Sequence, residues 1–243
     1  MQVAPGVHHF TGYKFNWYIV EEGDRLTVID AGFPSHFRLF ERGLESLGRA
    51  ISDVEAIIIT HAHADHTGFA ARLSAASGAP IHVHEGDVPL VRRPLYLPWT
   101  GLLSRAWRPY TASMLSHAIG NGLLRLTTIP APRPMRDADE LDAPGRPRIL
   151  HVPGHTPGDV AVHLPARGVL FSGDAMVTRN LYTGRDGGPQ LTSRTLNGDF
   201  EQARRSLDRL ADLGPVVLLP GHGRPWVGDT RDAVAANLPA ARR

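Results

Sequence analysis

One run of six residues, His61 to His66, restricts the fold of this chain more than any other feature. It carries three imidazoles and a carboxylate in the order His-Ala-His-Ala-Asp-His, directly after the apolar, β-branched run Val54–Thr60. Such a run is typical of a buried strand. Imidazoles and carboxylates packed this closely repel or desolvate one another unless a cation organises them. The sequence therefore predicts a buried strand that ends at a metal site.

Three further candidate ligands also come just after predicted strands. His155 follows Arg148–Val152, Asp174 follows Val169–Ser172, and His222 follows Val216–Leu219. Because strand ends meet at one edge of a sheet, we expect these side chains to join the first cluster. A glycine next to each of them lets the backbone turn sharply there. The remaining histidines are expected to be ordinary hydrogen-bonded residues: His8, His9, His36, His82, His84, His117, His151 and His163.

The candidate metal ligands are five histidines and two aspartates: His61, His63, Asp65, His66, His155, Asp174 and His222. The chain has no cysteine, which excludes a thiolate site. Imidazole nitrogen and carboxylate oxygen suit zinc, iron or manganese, and zinc is the metal that we expect first. These ligands are too many for a single tetrahedral ion. They match two divalent ions that share a carboxylate and a water molecule.

Predicted strands and helices alternate along most of the chain, which favours an α/β fold with covered sheets. Ser35 is a predicted helix N-cap, as are Asp199 and Asp229. A helix is predicted from about Thr67 to Ala76, and the proline-rich stretch 130–147 is predicted to be a surface connection. Each half of the chain runs from strands through a helix to a strand and a histidine-bearing loop. This order indicates two similar sheets that face each other.

Composition and charge bear on whether this chain binds nucleic acid or a membrane. The 243 residues carry 26 Lys and Arg against 24 Asp and Glu, and the arginines are scattered. A net charge of +2 without a basic patch gives no reason to expect nucleic acid as a partner. The sequence shows neither a signal peptide nor an apolar run long enough to cross a bilayer. We therefore expect one cytoplasmic domain over residues 1–243 with no membrane partner, as a monomer or a homodimer.

Taken together, these motifs resemble the metallo-β-lactamase superfamily. The matching segments are Thr60-His61-Ala62-His63-Ala64-Asp65-His66, Gly154-His155-Thr156-Pro157-Gly158, Gly173-Asp174, Gly221-His222-Gly223 and, upstream, Ile29-Asp30-Ala31-Gly32. The resemblance implies an αββα four-layer sandwich, with two mixed β-sheets flanked by helices. It also implies His61, His63 and His155 on one ion, Asp65, His66 and His222 on the other, Asp174 as the bridge, and Asp30 behind the ligands.

The resemblance also implies a function, namely hydrolysis by a hydroxide that bridges two metal ions. True β-lactamases of the superfamily generally lack an aspartate at the bridging place. Asp174 therefore places the chain closer to the members that resemble glyoxalase II and the lactonases. The expected substrate is a small ester, thioester or lactone, and Asp65 is the candidate catalytic residue that orients the hydroxide or carries a proton. A phosphodiesterase or nuclease, or a β-lactamase-like side activity, is the alternative.

The segment 94–126 differs from its surroundings in being rich in aromatic and aliphatic residues that prolines and glycines interrupt. Segments at this place in the superfamily often cover the site. Tyr96, Trp99, Trp107 and Tyr110 could form an apolar wall for an acyl chain, or they could fill a core or a dimer contact. We expect this segment to be a lid or a dimer-contact insertion.

Overall fold

The computed structural model describes residues 1–93, 97–125 and 128–237. Its strands are β1 (Gln2–Ala4), β2 (Val7–Gly12), β3 (Phe15–Glu22), β4 (Arg25–Ile29), β5 (Val54–Ile59), β6 (Ile81–His84), β7 (Arg133–Met135), β8 (Arg148–His151), β9 (Val160–Leu164), β10 (Val169–Gly173), β11 (Val177–Arg179), β12 (Asp186–Gln190), β13 (Pro215–Pro220) and β14 (Trp226–Asp229). Its helices are α1 (Phe37–Ser46), α2 (Ala64–Thr67), α3 (Ala70–Ser77), α4 (Val88–Val91), α5 (Trp99–Ser104), α6 (Pro109–Gly120), α7 (Phe200–Ser206) and α8 (Thr230–Ala235).

Two mixed sheets form the centre of the molecule. The first has seven strands in the order β1 to β7; it is antiparallel from β1 to β4 and parallel from β4 to β7. The second has five strands in the order β14-β13-β10-β9-β8, with one parallel pair, β10 and β13. A small hairpin of β11 and β12 stands apart from both sheets. The predicted pair of mixed sheets is confirmed.

Three apolar clusters hold the layers together. Between the sheets, Tyr18 and Ile58 of the first sheet pack with Phe171 of the second. Helices α1 and α3 cover the outer face of the first sheet, and Phe40 of α1 is part of that cluster. Helix α8 and the 3₁₀ turn Leu207–Leu210 cover the outer face of the second sheet. This is the predicted αββα sandwich, because each sheet buries one face against its partner and the other under helices.

Two of the three predicted helix N-caps are confirmed. The carboxylates of Asp199 and Asp229 accept hydrogen bonds from the first turns of α7 and α8. The prediction for Ser35 was wrong, because a 3₁₀ turn precedes α1 and the Ser35 hydroxyl donates to Oδ1 of Asn121 at 2.6 Å. The helix predicted from about Thr67 to Ala76 corresponds to α3, which begins at Ala70, and Thr67 is the last residue of the separate short helix α2.

The stretch 130–147 is more than the predicted surface connection. It contains β7, which pairs in parallel with β6 and forms one edge of the first sheet. Met135 of β7 is fully buried between the sheets. The strand is only three residues long and contains Pro134, so its sequence carries no alternating pattern. Within the described part of the chain, no helix is both long and apolar enough to span a bilayer.

Candidate metal centre

The seven predicted ligands lie together where four strands end. His61 and His63 lie on the loop after β5, and Asp65 and His66 lie on the short helix α2. The other three follow β8, β10 and β13, and they are His155, Asp174 and His222. Asp65 is half-buried, and the other six side chains are buried. The strands converge from two different sheets, so the cluster lies where the two sheets meet at one edge of the sandwich.

Among the described residues, three groups of three potential ligands lie close enough together to hold an ion. Two of them share no residue, and the third, His61, His66 and Asp174, overlaps both. His61, His63 and His155 each offer one ring nitrogen, and these nitrogens lie within 4.8 Å of one another. Asp65, His66 and His222 form a second triad by the same measure. In it, Nε2 of His222 is 3.3 Å from Oδ2 of Asp65. These are the two sets that the family resemblance implied.

Asp174 lies between the two triads. Its Oδ2 atom is 3.5 Å from Nε2 of His155 in the first triad and 3.2 Å from Nε2 of His222 in the second. Its Oδ1 atom is 3.7 Å from Nε2 of His66. Gly221 makes this approach possible, because a Cβ atom there would overlap both Asp174 and the ring of His66.

Hydrogen bonds behind the cluster fix the orientation of four imidazole rings. Nδ1 of His222 donates to the carbonyl oxygen of Lys14 at 2.9 Å, and Nδ1 of His66 donates to Asp30 at 2.7 Å. Nδ1 of His61 lies 3.1 Å from the Thr60 hydroxyl, and Nδ1 of His155 lies 3.3 Å from that of Thr192. In each ring the second nitrogen, Nε2, therefore faces the cluster, which is the arrangement that outer partners impose on metal-binding histidines.

Three buried polar atoms of the cluster test whether a metal fits. Nε2 of His66, Nε2 of His155 and Oδ1 of Asp174 have no hydrogen-bond partner within the described residues. Buried polar atoms without partners are rare and costly. All three belong to groups that could hold an ion. A divalent cation would satisfy them, so these residues fit a metal centre of nitrogen and oxygen ligands.

Burial and neighbouring charges determine which side chains of the cluster are neutral and which are charged near neutral pH. Burial lowers the pKa of His63 to about 3, and the nearby His155 adds to this effect. Burial also opposes charge on His66, but the carboxylates of Asp30 and Asp65 outweigh it and raise the pKa of His66 to about 9. Burial raises the pKa of Asp65, but His66 and His222 outweigh it and lower this pKa to about 2. Asp65 is thus a carboxylate near neutral pH.

Sequence reasoning missed two buried aspartates beside the cluster. Asp87 accepts hydrogen bonds from the Ala62 amide at 2.8 Å, the Thr156 hydroxyl at 2.7 Å and the Gly158 amide at 2.7 Å. It thereby joins the loop after β5 to the loop after β8. It lies three residues beyond the end of β6, so the strand-end signal that identified the ligands could also have identified it.

The second missed residue, Asp159, lies 4.0 Å from Nδ1 of His61. Its two oxygens have no hydrogen-bond partner among the described residues. Burial, together with the charge of Asp174, raises the pKa of Asp159 well above its ordinary value. Its position next to Gly158 in the second motif was the available signal.

An apolar pocket opens on the metal-ligand cluster. Its cavity volume is about 50 Å³. Its floor consists of His63, Asp65, His155, Asp174 and His222, and its walls consist of Phe15, Phe33, Leu97, Pro98, Leu102, Met114, Leu115, Ala118, Leu123, Leu181 and Leu196. More than half of the wall residues lie between 97 and 123, within the segment that we expected to cover the site.

For the aromatic residues of that segment the sequence leaves open a pocket wall, a core or a dimer contact, and the described ones do not line the pocket. Trp107 is 74% exposed. Trp99 and Tyr110 pack against the cluster of buried residues around the pocket, outside its lining. Tyr96 lies outside the described residues. The covering side chains are aliphatic ones from α5 and α6 instead, because a helix presents only one face to the site.

Five of the other histidines have contacts with residues that are not among the seven candidate ligands. His8 lies 3.0 Å from Glu21, and Nε2 of His36 lies 3.2 Å from Nε2 of His117. His84 stacks on His151 with ring centroids 3.9 Å apart. These contacts agree with the ordinary structural roles that we predicted for these five histidines.

The family of the chain follows from its similarity to known proteins. The chain matches the metallo-beta-lactamase superfamily over residues 13–222. It belongs to this superfamily. The predicted membership of this superfamily of metal-dependent hydrolases is therefore confirmed.

Individual members of the superfamily resemble the chain over most of its length. It is 28% identical to the probable metallo-hydrolase YflN of Bacillus subtilis (strain 168), over 93% of this chain and 87% of that protein. It is 33% identical to a hydroxyacylglutathione hydrolase of Alkalilimnicola ehrlichii, over 82% of this chain but 57% of that protein. The latter agrees with the predicted likeness to glyoxalase II-like members.

Solved structures of the superfamily share the fold. The metallo-beta-lactamase family protein TTHA1429 from Thermus thermophilus has a TM-score of 0.68 and 26% identity, over 97% of this chain and 79% of that one. TTHA1623, solved in a di-iron-bound form, has a TM-score of 0.63 and 29% identity, over 96% of this chain and 98% of that one. Members of this fold thus include a protein with a two-metal centre.

Proposed function

We propose that this protein is a hydrolase that uses two divalent metal ions to cleave a small ester, thioester or lactone. One observation supports this proposal most directly. The cluster of imidazoles and carboxylates forms the floor of a pocket whose walls are apolar. A substrate bound there would place a hydrophobic group against the walls and its polar, reactive group on the metal ligands.

The ligand sets follow the two triads. His61, His63 and His155 would hold one ion, and Asp65, His66 and His222 would hold the second, with Asp174 shared between them. We propose zinc, with iron or manganese as the alternatives, because imidazole and carboxylate ligands suit each of these metals. When bound, two such ions lower the pKa of water and polarise the carbonyl group that is attacked.

The residues of the chain orient the imidazole rings, exclude water from the pocket and take part in proton transfer. Nδ1 of His66 donates a hydrogen bond to Asp30, and Nδ1 of His222 donates one to the carbonyl oxygen of Lys14. These bonds keep Nε2 of each ring directed at the other candidate metal ligands. The aliphatic side chains of α5 and α6, such as Met114, exclude water and position the acyl group. Asp65 lies at the pocket floor, where its carboxylate can orient the nucleophile or carry a proton to the leaving group.

The pocket favours acyl substrates over phosphodiesters. No lysine or arginine is among the described residues that line it. A nuclease needs cationic side chains to neutralise phosphate groups along its substrate. An acyl chain needs the aliphatic walls that this pocket has. A β-lactam could also reach the floor, so β-lactamase-like hydrolysis remains a side activity in this proposal.

The decisive experiment combines metal analysis with a substrate panel. Purified protein is analysed for bound metals and then assayed with lactones, thioesters, esters, β-lactams and phosphodiesters. We expect about two ions per chain and the fastest hydrolysis of an acyl substrate. Asp174→Ala and His66→Ala should abolish it, whereas Asp24→Asn at an exposed turn should not.

Two outcomes would contradict the proposal. One is activity that persists in both ligand variants, which would point to a different site. The other is a well-folded protein that takes up only trace metal under every loading condition. Preferential hydrolysis of phosphodiesters would favour the nuclease alternative instead.

A further inference from the structure

A second, cationic depression lies beside the apolar pocket. We call it the Lys14 depression, and its lining residues are Tyr13, Lys14, Trp107, Arg108, Pro109, Tyr110, Ser113, Tyr182, Thr183 and Arg185. Three of these residues are cationic, and none is acidic. The depression adjoins the pocket, since Phe15, Met114 and Leu181 line the pocket while their sequence neighbours Lys14, Ser113 and Tyr182 line the depression.

Lys14 is the single lysine of the sequence, and it is 7% exposed. Its Nζ atom donates to the Ser113 hydroxyl at 3.0 Å and lies 3.9 Å from the centre of the Tyr110 ring and 4.3 Å from that of Tyr13. No carboxylate of the described chain forms an ion pair with it. Burying a cation without a counter-ion is costly, so an anion bound beside Lys14 would stabilise it.

The two arginines of the depression also lack carboxylate partners in the described ranges. The Nε atom of Arg108 is buried without a hydrogen-bond partner. The nearby carboxylate of Asp186 is already engaged, at 2.6 Å from Arg179 and 3.4 Å from Arg224. The positive charge at this place is therefore not compensated by the part of the protein that the structure describes.

Helix α6 adds to the positive potential because it begins at Pro109, on the rim of the depression. Its N-cap residue, Arg108, makes no side-chain capping bond, and its first turn contains no acidic residue. The N-terminus of a helix carries unpaired N–H groups and a partial positive charge. This end of α6 thus has the same sign as the three cationic side chains.

We propose that the Lys14 depression is a binding site for an oxyanion, that is, for a carboxylate or phosphate group. Lysine and arginine side chains with a helix N-terminus are the groups that bind such anions. The anion has two possible sources. The first is a charged end of the hydrolysed substrate, and this alternative rests on the proposed function. The second is a free anion that binds beside the metal centre. The backbone connects the two sites, since the carbonyl oxygen of Lys14 accepts the hydrogen bond from His222.

The single lysine makes a direct binding test possible. Protein loaded with zinc and labelled with ¹³C-lysine gives one Cε resonance, which belongs to Lys14. Inorganic phosphate and acetate are titrated at constant ionic strength. We expect a saturable shift in the wild type and in Arg42→Gln, an exposed arginine beside Glu41 and Glu45 in another depression. The shift should be lost, or its midpoint raised at least about tenfold, in the Arg108→Gln/Arg185→Gln double variant.

Two results of this titration would overturn the proposal. The first is the absence of a saturable shift with either anion in the wild type. The second is a shift with the same midpoint in the double variant, which would mean that the anion binds at the metal ions. Thermal unfolding of each variant verifies that a lost shift does not reflect a lost fold.

A kinetic comparison then identifies the source of the anion. Phenyl hexanoate and the phenyl monoester of adipate have equally long acyl chains and differ in one terminal carboxylate. If the substrate supplies the anion, the Arg108→Gln/Arg185→Gln double variant raises KM for the adipate ester about tenfold, with little change for the hexanoate ester, and Arg108→Lys/Arg185→Lys retains most of the wild-type KM. If phosphate shifts the lysine resonance but the Gln double variant affects both esters equally, the site binds a free anion. If neither ester is hydrolysed, the proposed function fails while the titration still decides the binding site.

Discussion

The Asp30 carboxylate lies 2.7 Å from Nδ1 of His66, and both groups are buried. The same carboxylate accepts hydrogen bonds from the Thr60 amide at 2.9 Å and from the Thr60 hydroxyl. Asp30 adopts a left-handed conformation with φ of 61°, which aspartate tolerates better than most residues. This geometry links the end of β4 to the histidine that follows β5, and it directs Nε2 of His66 into the cluster.

The first prediction concerns this pair. Asp30→Asn removes the anionic acceptor of His66 while keeping the size of the side chain. Because outer partners of metal-binding histidines contribute to metal affinity, we expect the affinity for the ion assigned to His66 to fall about 10- to 100-fold. Competition with a chelator measures it. Asp24→Asn on the exposed turn after β3 is the control, and equal affinities in the two variants would refute the prediction.

The second prediction concerns Asp87, the buried carboxylate that joins two ligand loops. Asn keeps its shape, but its amide group must face at least one of the three donors that Asp87 now binds. Hydrogen bonds to charged groups are strong, and an unsatisfied buried donor is costly. We expect Asp87→Asn to lower the free energy of unfolding by about 2–4 kcal/mol, measured by urea denaturation. Asp142→Asn at an exposed position should change it by less than about 0.5 kcal/mol.

The third prediction concerns the walls of the pocket and rests on the proposed function. Met114→Ala removes an aliphatic side chain that lines the pocket. We expect kcat/KM to fall about fivefold to tenfold for hexanoyl esters relative to acetyl esters, because only the longer chain reaches the removed contact. Trp107→Ala is the matched control, since that ring is largely exposed and lies outside the lining. An equal loss for both chain lengths would argue against an acyl pocket.

The fourth prediction concerns pH and the contact of α6 with the body of the protein. The Phe33 amide donates to Nδ1 of His36 at 3.2 Å, so a neutral His36 carries its proton on Nε2 and donates it to Nε2 of His117. Burial, with a contribution from His117, lowers the pKa of His36 to about 4. In the unfolded chain this imidazole titrates near its ordinary pKa of about 6.5.

Proton linkage gives the direction in which the stability changes with pH. Between pH 6.5 and 4 the unfolded chain takes up a proton at His36 that the folded protein does not, so stability falls as the pH falls through this window. We expect a loss of up to about 3 kcal/mol by pH 4 from this residue. His36→Asn keeps an acceptor for Phe33 and does not titrate. Its unfolding free energy should depend less steeply on pH than that of the wild type, and equal slopes would contradict the prediction.

The features that the sequence predicted well share one property, which is that their signal is local. His61, His155, Asp174 and His222 each follow an apolar strand within a few residues, so the strand and its ligand are recognised together. The caps Asp199 and Asp229 each bond to an amide within the next three residues. Ser35 has the same local signature, but its hydroxyl bonds to Asn121, which lies 86 residues away in the sequence.

The sequence by itself determined which side chains could hold metal ions and that strand ends would bring them together, because that information lies within each short motif. Only the tertiary structure decided the rest. Asp87 meets Thr156 across 69 positions, and Lys14 meets Ser113 across 99. No local pattern encodes such pairs, because they depend on how two sheets and the helices over them pack. The aliphatic pocket and the buried cation beside it arise from that packing.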